Sequence, residues 1–177
     1  MKHDTINIFL DLEETVIDDW YSGNFLPQNI DRISDLIKKF SIEYNSRIAS
    51  NNNVNLILFS AAVTNQKDLD FFNLNFKITL EEKLGFKFNS EFLFSDENYF
   101  ELALKNGIQM LDTDTVHDIF MFNPKEEIFN LIAIENEVNI LFDDTVRSKI
   151  TFGKLNFFNT DTAQTIKIYV DCSNKDK

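Results

Sequence analysis

Three short apolar runs, Ile6 to Leu10, Val54 to Phe59 and Val138 to Phe142, constrain the fold of this chain more than any other feature. They are rich in β-branched and large aliphatic residues and lack the strict polar alternation of a strand with one wet face, which is the pattern of strands covered on both sides. Such strands need helices above and below them. Ile30, Ile33, Ile37, Phe40, Tyr44 and Ile48 recur at helical spacing after the first run, with Asn29 as the expected cap and Asn51-Asn52-Asn53 as the end. After the second run, Leu69, Phe72, Phe76, Leu80 and Leu84 form another stripe, opened by Asn65 and Asp68 and stopped by Gly85. Asn123-Pro124 reads as cap and first residue of a third helix, Lys125 to Asn136. Alternation of this kind implies right-handed crossovers and an α/β fold: a doubly wound, mostly parallel sheet with helices on both faces.

Between Phe86 and Phe122 the pattern predicts a strand at Glu91 to Phe94, a helix from Ser95 to Gly107 and a strand at Asp118 to Phe122. Two late strands, Lys154 to Phe158 and Thr165 to Val170, complete the expected sheet. The 177 residues suit a single domain, 1–177, because Gly and Pro are scarce, at 4 and 2, and no linker or repeat interrupts the alternation. A formal charge of -12 repels a phosphate backbone, which disfavours nucleic acid as a partner. Cys172 is the lone cysteine, no apolar leader opens the chain, and no run approaches a membrane span. The expectation is a soluble protein of a reducing compartment, the cytoplasm.

Chemistry-bearing residues stand where the apolar runs end. Asp11 and Thr15 follow the first, Ser60 and Ala61 the second, Asp143 and Asp144 the third, while Lys125 opens a helix. Open α/β sheets bind ligands beyond the carboxyl ends of their strands, so these positions can meet in one crevice. A carboxylate that attacks a phosphoryl group needs a divalent cation, because two anions otherwise repel. Asp11 suits the nucleophile. Asp143 and Asp144 offer hard oxygens for Mg2+, and Ser60, the amides near Ala61-Ala62 and Lys125 suit a phosphoryl group's equatorial oxygens.

These residues resemble the motifs of the haloacid dehalogenase-like (HAD) superfamily of magnesium-dependent phosphohydrolases. Its D-x-D-x-T motif after an apolar strand is similar to Phe9-Leu10-Asp11-Leu12-Glu13-Glu14-Thr15. An apolar strand ending in Ser or Thr is similar to Leu56-Ile57-Leu58-Phe59-Ser60, a helix-start Lys to Lys125, and a strand ending in two acids to Asn139-Ile140-Leu141-Phe142-Asp143-Asp144. The resemblance implies Asp11 as nucleophile forming an aspartyl-phosphate, Ser60 as phosphate binder and Lys125 as neutralising cation. It also implies Mg2+ held by Asp11, Asp143, Asp144 and the backbone carbonyl of residue 13, with Thr15 and Ala61 beside the substrate. The substrate would be a phosphomonoester, small or bulky, and a protein partner acting as lid is compatible.

Two departures stand out. The proton donor expected two residues after the nucleophile is Glu13 and not Asp, and one added methylene moves the carboxyl by roughly an ångström, enough to cost about a hundredfold in rate. Glu14 replaces a common Gly. A catalytically impaired binding or regulatory protein is therefore the rival expectation. Family members often carry a cap domain, but here the sheet's own elements consume both intervals where one is inserted. Only a flap at Asp18 to Pro27 or a modest insertion within Phe86 to Phe122 remains.

Plainer roles exist for each residue. Asp11, Thr15 and Ser60 suit caps and turns, and an acid pair after a strand suits a solvated turn. Lys125 taken alone suits a surface, although it opposes the helix dipole. Phe71, Phe72 and Phe76 read as core. Trp20 and Tyr21 suit either a packed flap or a substrate contact. His3 and His117 lack partners at zinc spacing, and no phosphate-binding glycine loop or nucleophile elbow is present. A phosphate-accepting signalling receiver shares the residue types but places its paired acids after the first strand, the reverse of the order here.

Overall fold

The computed structural model describes residues 5–44, 53–107, 125–145 and 165–173. At its centre lies a sheet of β1 (Ile6–Leu10), β2 (Val54–Leu58), β3 (Phe88–Glu91), β4 (Val138–Asp143) and β5 (Ile166–Asp171). Their spatial order is β3-β2-β1-β4-β5, and every neighbouring pair is parallel. All residues of β1 and β4 are buried, as their unbroken apolar runs require.

Successive side chains of a strand face opposite ways, so each central strand serves two cores. Ile6, Ile8 and Leu10 enter a cluster with Ile30, Ile33, Ile37 and Phe40 of α1 (Pro27–Tyr44) and with Phe72, Phe76, Leu80 and Leu84. The last four come from α2 (Gln66–Phe72), a π-helical turn (Asn73–Lys77) and α3 (Ile78–Leu84), which follow one another without a break. Phe9 instead enters a second cluster with Tyr99, Leu102 and Ala103 of α4 (Asp96–Lys105) and with Ile128 and Phe129 of α5 (Lys125–Ile132). Helices therefore cover both faces. Among the described residues no helix is long and apolar enough to cross a membrane.

The chain runs outward from β1 to β2 and β3 on one side, then returns across the second face to β4 on the other side of β1. The carboxyl ends of β1 and β4 thus flank the point where the winding reverses, which is where a crevice opens in sheets of this kind.

Caps largely follow the sequence. Asn65 accepts the Asp68 N–H at 3.0 Å to start α2, Ser95 accepts the Asn98 N–H at 3.2 Å to start α4, and Gly85 ends α3 at φ 80, where a side chain would be strained. Three expectations change. α1 begins at Pro27, whose fixed φ suits a first helical position, and Asn29 lies inside the helix, buried, as a tertiary donor. The strand expected at Glu91 to Phe94 is instead Phe88–Glu91. It is an edge strand that needs only β2; just past it the Phe92 N–H still donates to Leu58 O at 2.9 Å, while the side chains of Phe92 and Phe94 pack into the second core. α5 ends at Ile132 and not at Asn136. The predicted strands at Asp118 to Phe122 and Lys154 to Phe158, the Asn123-Pro124 cap, and Ile48 and Asn51-Asn52 at the end of the first helical stripe lie outside the described residues.

At the far end of the sheet, Asn55, Asn7 and Asn139 stand in register across β2, β1 and β4. Asn55 Nδ2 donates to Asn7 Oδ1 at 2.9 Å, and Asn7 Nδ2 donates to Glu137 Oε2 at 2.7 Å. The polar residues that interrupt each apolar run satisfy one another.

Candidate metal centre

Leu10 of β1 pairs with Phe142 of β4, and the Asp11 N–H continues the ladder by donating to Phe142 O at 3.0 Å. Asp11 and Asp143 are therefore neighbours across one strand pair. Strand alternation turns both away from the α1 face, because Leu10 and Phe142 belong to that core while Phe9 and Leu141 belong to the other. α5 packs on this second face and begins at Lys125, so its first side chain reaches the two carboxylates. Lys125 Nζ donates to Asp11 Oδ1 at 2.7 Å and lies 3.1 Å from Asp143 Oδ2.

Each carboxylate has a second partner. Thr15, fully buried, donates its hydroxyl to Asp11 Oδ2 at 3.1 Å. Thr145 donates both its N–H and its hydroxyl to Asp143 Oδ1, each at 3.2 Å. Asp144 completes the group: one oxygen each from Asp11, Asp143 and Asp144 lie within 4.8 Å of one another. Oxygens bound to one Mg2+ at about 2.1 Å lie at most about 4 Å apart, so small rotations would gather these three around one ion.

Three acids face one lysine here, and the imbalance shows in the ionisation of the group. Burial pushes the Asp11 carboxyl up to about 6 against the pull of Lys125, with Asp143 adding to the rise. Burial pushes Asp144 up to about 8, followed by its hydrogen bond to Asp143 and the charges of Asp11 and Asp143. Burial works against a charged Lys125, but its two carboxylate neighbours outweigh that and hold its pKa above the ordinary value. A hard divalent cation would remove the misfit by favouring the ionised form of every acid around it. Cys172 beside the cluster is a neutral, buried thiol, raised first by burial and then by the surrounding acids. Its N–H donates to Asp143 O at 2.8 Å, so β5 also fixes the acid pair.

The remaining candidates lie around this group. Ser60 is buried just past β2, where its Oγ accepts the Ala62 N–H at 3.4 Å, and Ala61 beside it is exposed. No hydrogen bond joins Ser60 to the acidic group among the described residues. The Glu13 carboxylate is turned to the flap and accepts the Trp20 N–H at 3.1 Å. Glu14 sits at φ 56, a left-handed position that a glycine occupies without strain. Trp20 is a packed part of the flap and Tyr21 is on the surface. Trp20 packs on Phe71 and Phe76 at centroid distances of 5.0 and 5.6 Å, whereas Tyr21 is 95% exposed.

Two contributors escape a motif reading. Thr145 is legible afterwards as the third residue of an Asx-type turn started by Asp143. Asn29 donates its side chain to Thr15 O at 3.1 Å and to Cys172 O at 3.5 Å, tying the Asp11 loop to the end of β5. Nothing in the local sequence distinguishes that use from capping. No protein-family model, curated protein or solved structure matches this chain.

Proposed function

We propose that this chain is a magnesium-dependent phosphohydrolase of the haloacid dehalogenase-like type, cleaving a phosphomonoester through an aspartyl-phosphate on Asp11. The observation that carries the reading is one buried aspartate held between a lysine and an acid pair at the reversal point of a parallel sheet. Asp11, Asp143 and Asp144 would hold the Mg2+, which supplies charge neutralisation between nucleophile and phosphoryl group. Thr15 and Lys125 hold the Asp11 carboxylate in position, so little reorientation is needed before attack. A carboxylate oxygen of Asp11 forms the new bond to phosphorus while the bond to the leaving alcohol oxygen breaks, and Glu13 supplies that oxygen's proton. Water then attacks the acyl phosphate, releases phosphate and regenerates Asp11. Lys125, Ser60 and the amides after it suit the oxygens of the transferring group. The low cysteine content fits a cytoplasmic setting.

A second reading, a binding or regulatory protein with impaired turnover, is favoured by one observation: the acid two residues after Asp11, Glu13, is engaged by the Trp20 amide. Release of phosphate from an aryl phosphate, with and without magnesium, separates the two. Turnover that needs magnesium and disappears in Asp11→Asn supports the enzyme. An inert wild type that gains activity in Glu13→Asp supports the second reading.

A further inference from the structure

The flap that follows the Asp11 loop is shaped by three sets of contacts. Its base is a short antiparallel pairing, with Asp18 N–H donating to Asn24 O at 2.8 Å, Leu26 N–H to Val16 O at 2.9 Å, and a bridge between Ile17 and Phe25. Its tip is a self-contained polar turn in which Asp19 accepts the N–H groups of Tyr21 and Ser22, each at 2.9 Å. Its apolar side lies on the α2 to α3 segment. Trp20 covers Phe71 and Phe76, Phe25 meets Phe76 at 6.1 Å, and Gly23 runs so close that an added Cβ would come within 2.9 Å of Phe76.

Two further bonds join the flap to the Asp11 loop: a backbone bond from the Glu14 N–H to Asp18 O at 3.3 Å, and one made by a side chain, the Trp20 N–H to Glu13 Oε2 at 3.1 Å. We propose that in the resting protein Glu13 is a latch that fastens the flap to the loop carrying Asp11 and so fixes Trp20 on its aromatic seat. The residue type matters. Shortening the side chain by one methylene withdraws the carboxylate by about 1.3 Å, which takes this contact beyond hydrogen-bonding range. The departure from D-x-D thereby has a use of its own. It lets the residue two places after Asp11 reach a flap that an aspartate could not hold. The latch concerns the resting protein, so it stands or falls independently of whether Asp11 is a nucleophile.

Trp20 is the single tryptophan, so its emission and its quenching by acrylamide report on the flap without background. The experiment compares metal-free wild type with Glu13→Gln, Glu13→Asp and Glu13→Ala, with far-UV circular dichroism as a check on folding. Glutamine keeps an acceptor oxygen at the same reach, and its quenching should match wild type. Aspartate withdraws the acceptor and alanine removes it, and loss of one hydrogen bond of ordinary strength should shift the closed-to-open balance by about fivefold. Quenching should then rise in both, and the emission should move to longer wavelength. If alanine prevents folding, the aspartate variant answers the same question. Equal quenching in wild type and Glu13→Asp, or a rise in Glu13→Gln as large as that in Glu13→Asp, would overturn the proposal. Neither result would touch the phosphohydrolase reading, which rests on magnesium-dependent turnover.

Discussion

Replacing Lys125 by Met tests whether Asp11, Asp143 and Lys125 form one interdependent group. The substitution keeps most of the buried stem and deletes the charge that lies 2.7 Å from Asp11 and 3.1 Å from Asp143. Breaking a buried ion pair by removing one partner costs about 3–5 kcal/mol, because the other partner is left as an uncompensated charge. Here the cost should depend on pH, and its sign follows from Asp11. The folded-state value of about 6 lies above the ordinary 3.8, so ionising Asp11 opposes folding. In wild type that penalty is absent below the ordinary value, grows to about 3 kcal/mol as pH rises to 6, and is constant beyond. Lys125 is the chief influence lowering Asp11, so without it the folded value climbs and the penalty keeps growing above pH 6. The variant should lose about 3–5 kcal/mol at pH 8 and roughly half as much at pH 5, where Asp11 is neutral in both proteins. Urea unfolding at the two pH values, followed by circular dichroism, measures both numbers. Magnesium should restore part of the loss at pH 8. A loss that is the same at both pH values, or below about 1 kcal/mol at pH 8, would refute the argument that these groups depend on one another.

Magnesium affinity, measured by calorimetry, should fall as pH drops from about 8 to about 6, because the protons held by Asp144 and Asp11 must leave before the ion binds. A flat profile would show that neither acid is a ligand. Glu14→Gly should raise stability by about 1 kcal/mol in thermal or urea unfolding, the left-handed penalty at φ 56 outweighing the added freedom of the unfolded chain. Asn139→Ala strips the partner from both the N–H and the carbonyl of Ile134, each at 2.9 Å, and should cost about 2–3 kcal/mol. It should leave magnesium affinity unchanged, since Asn139 sits at the opposite end of β4 from Asp143.

Within the acidic group, the sequence and the fold contribute different things. That Asp11, Asp143 and Asp144 end apolar runs was legible because strands buried on both faces leave a hydrophobic signature that stops where the strand does. Lys125 was a weaker sign. Nothing local distinguishes a first-turn lysine on the surface from one whose ammonium sits between two buried carboxylates, and only the packing of α5 on the Phe9 face decides it. The side chain of Glu13 shows the same limit in reverse. Its spacing from Asp11 aims it at the crevice, but a flap held on Phe71 and Phe76 offers it an amide first.

The one-dimensional pattern determined the class of fold, the ends of the central strands and the identity of the acids there, because periodicity and caps are local physics. It did not determine the strand order, the early strand β3, the tertiary use of Asn29 or the support that Thr145 and Cys172 give Asp143. The strand order and the use of Asn29 depend on which surfaces meet after the chain reverses between β3 and β4, and contacts between residues more than a hundred positions apart leave no trace in the spacing of either partner.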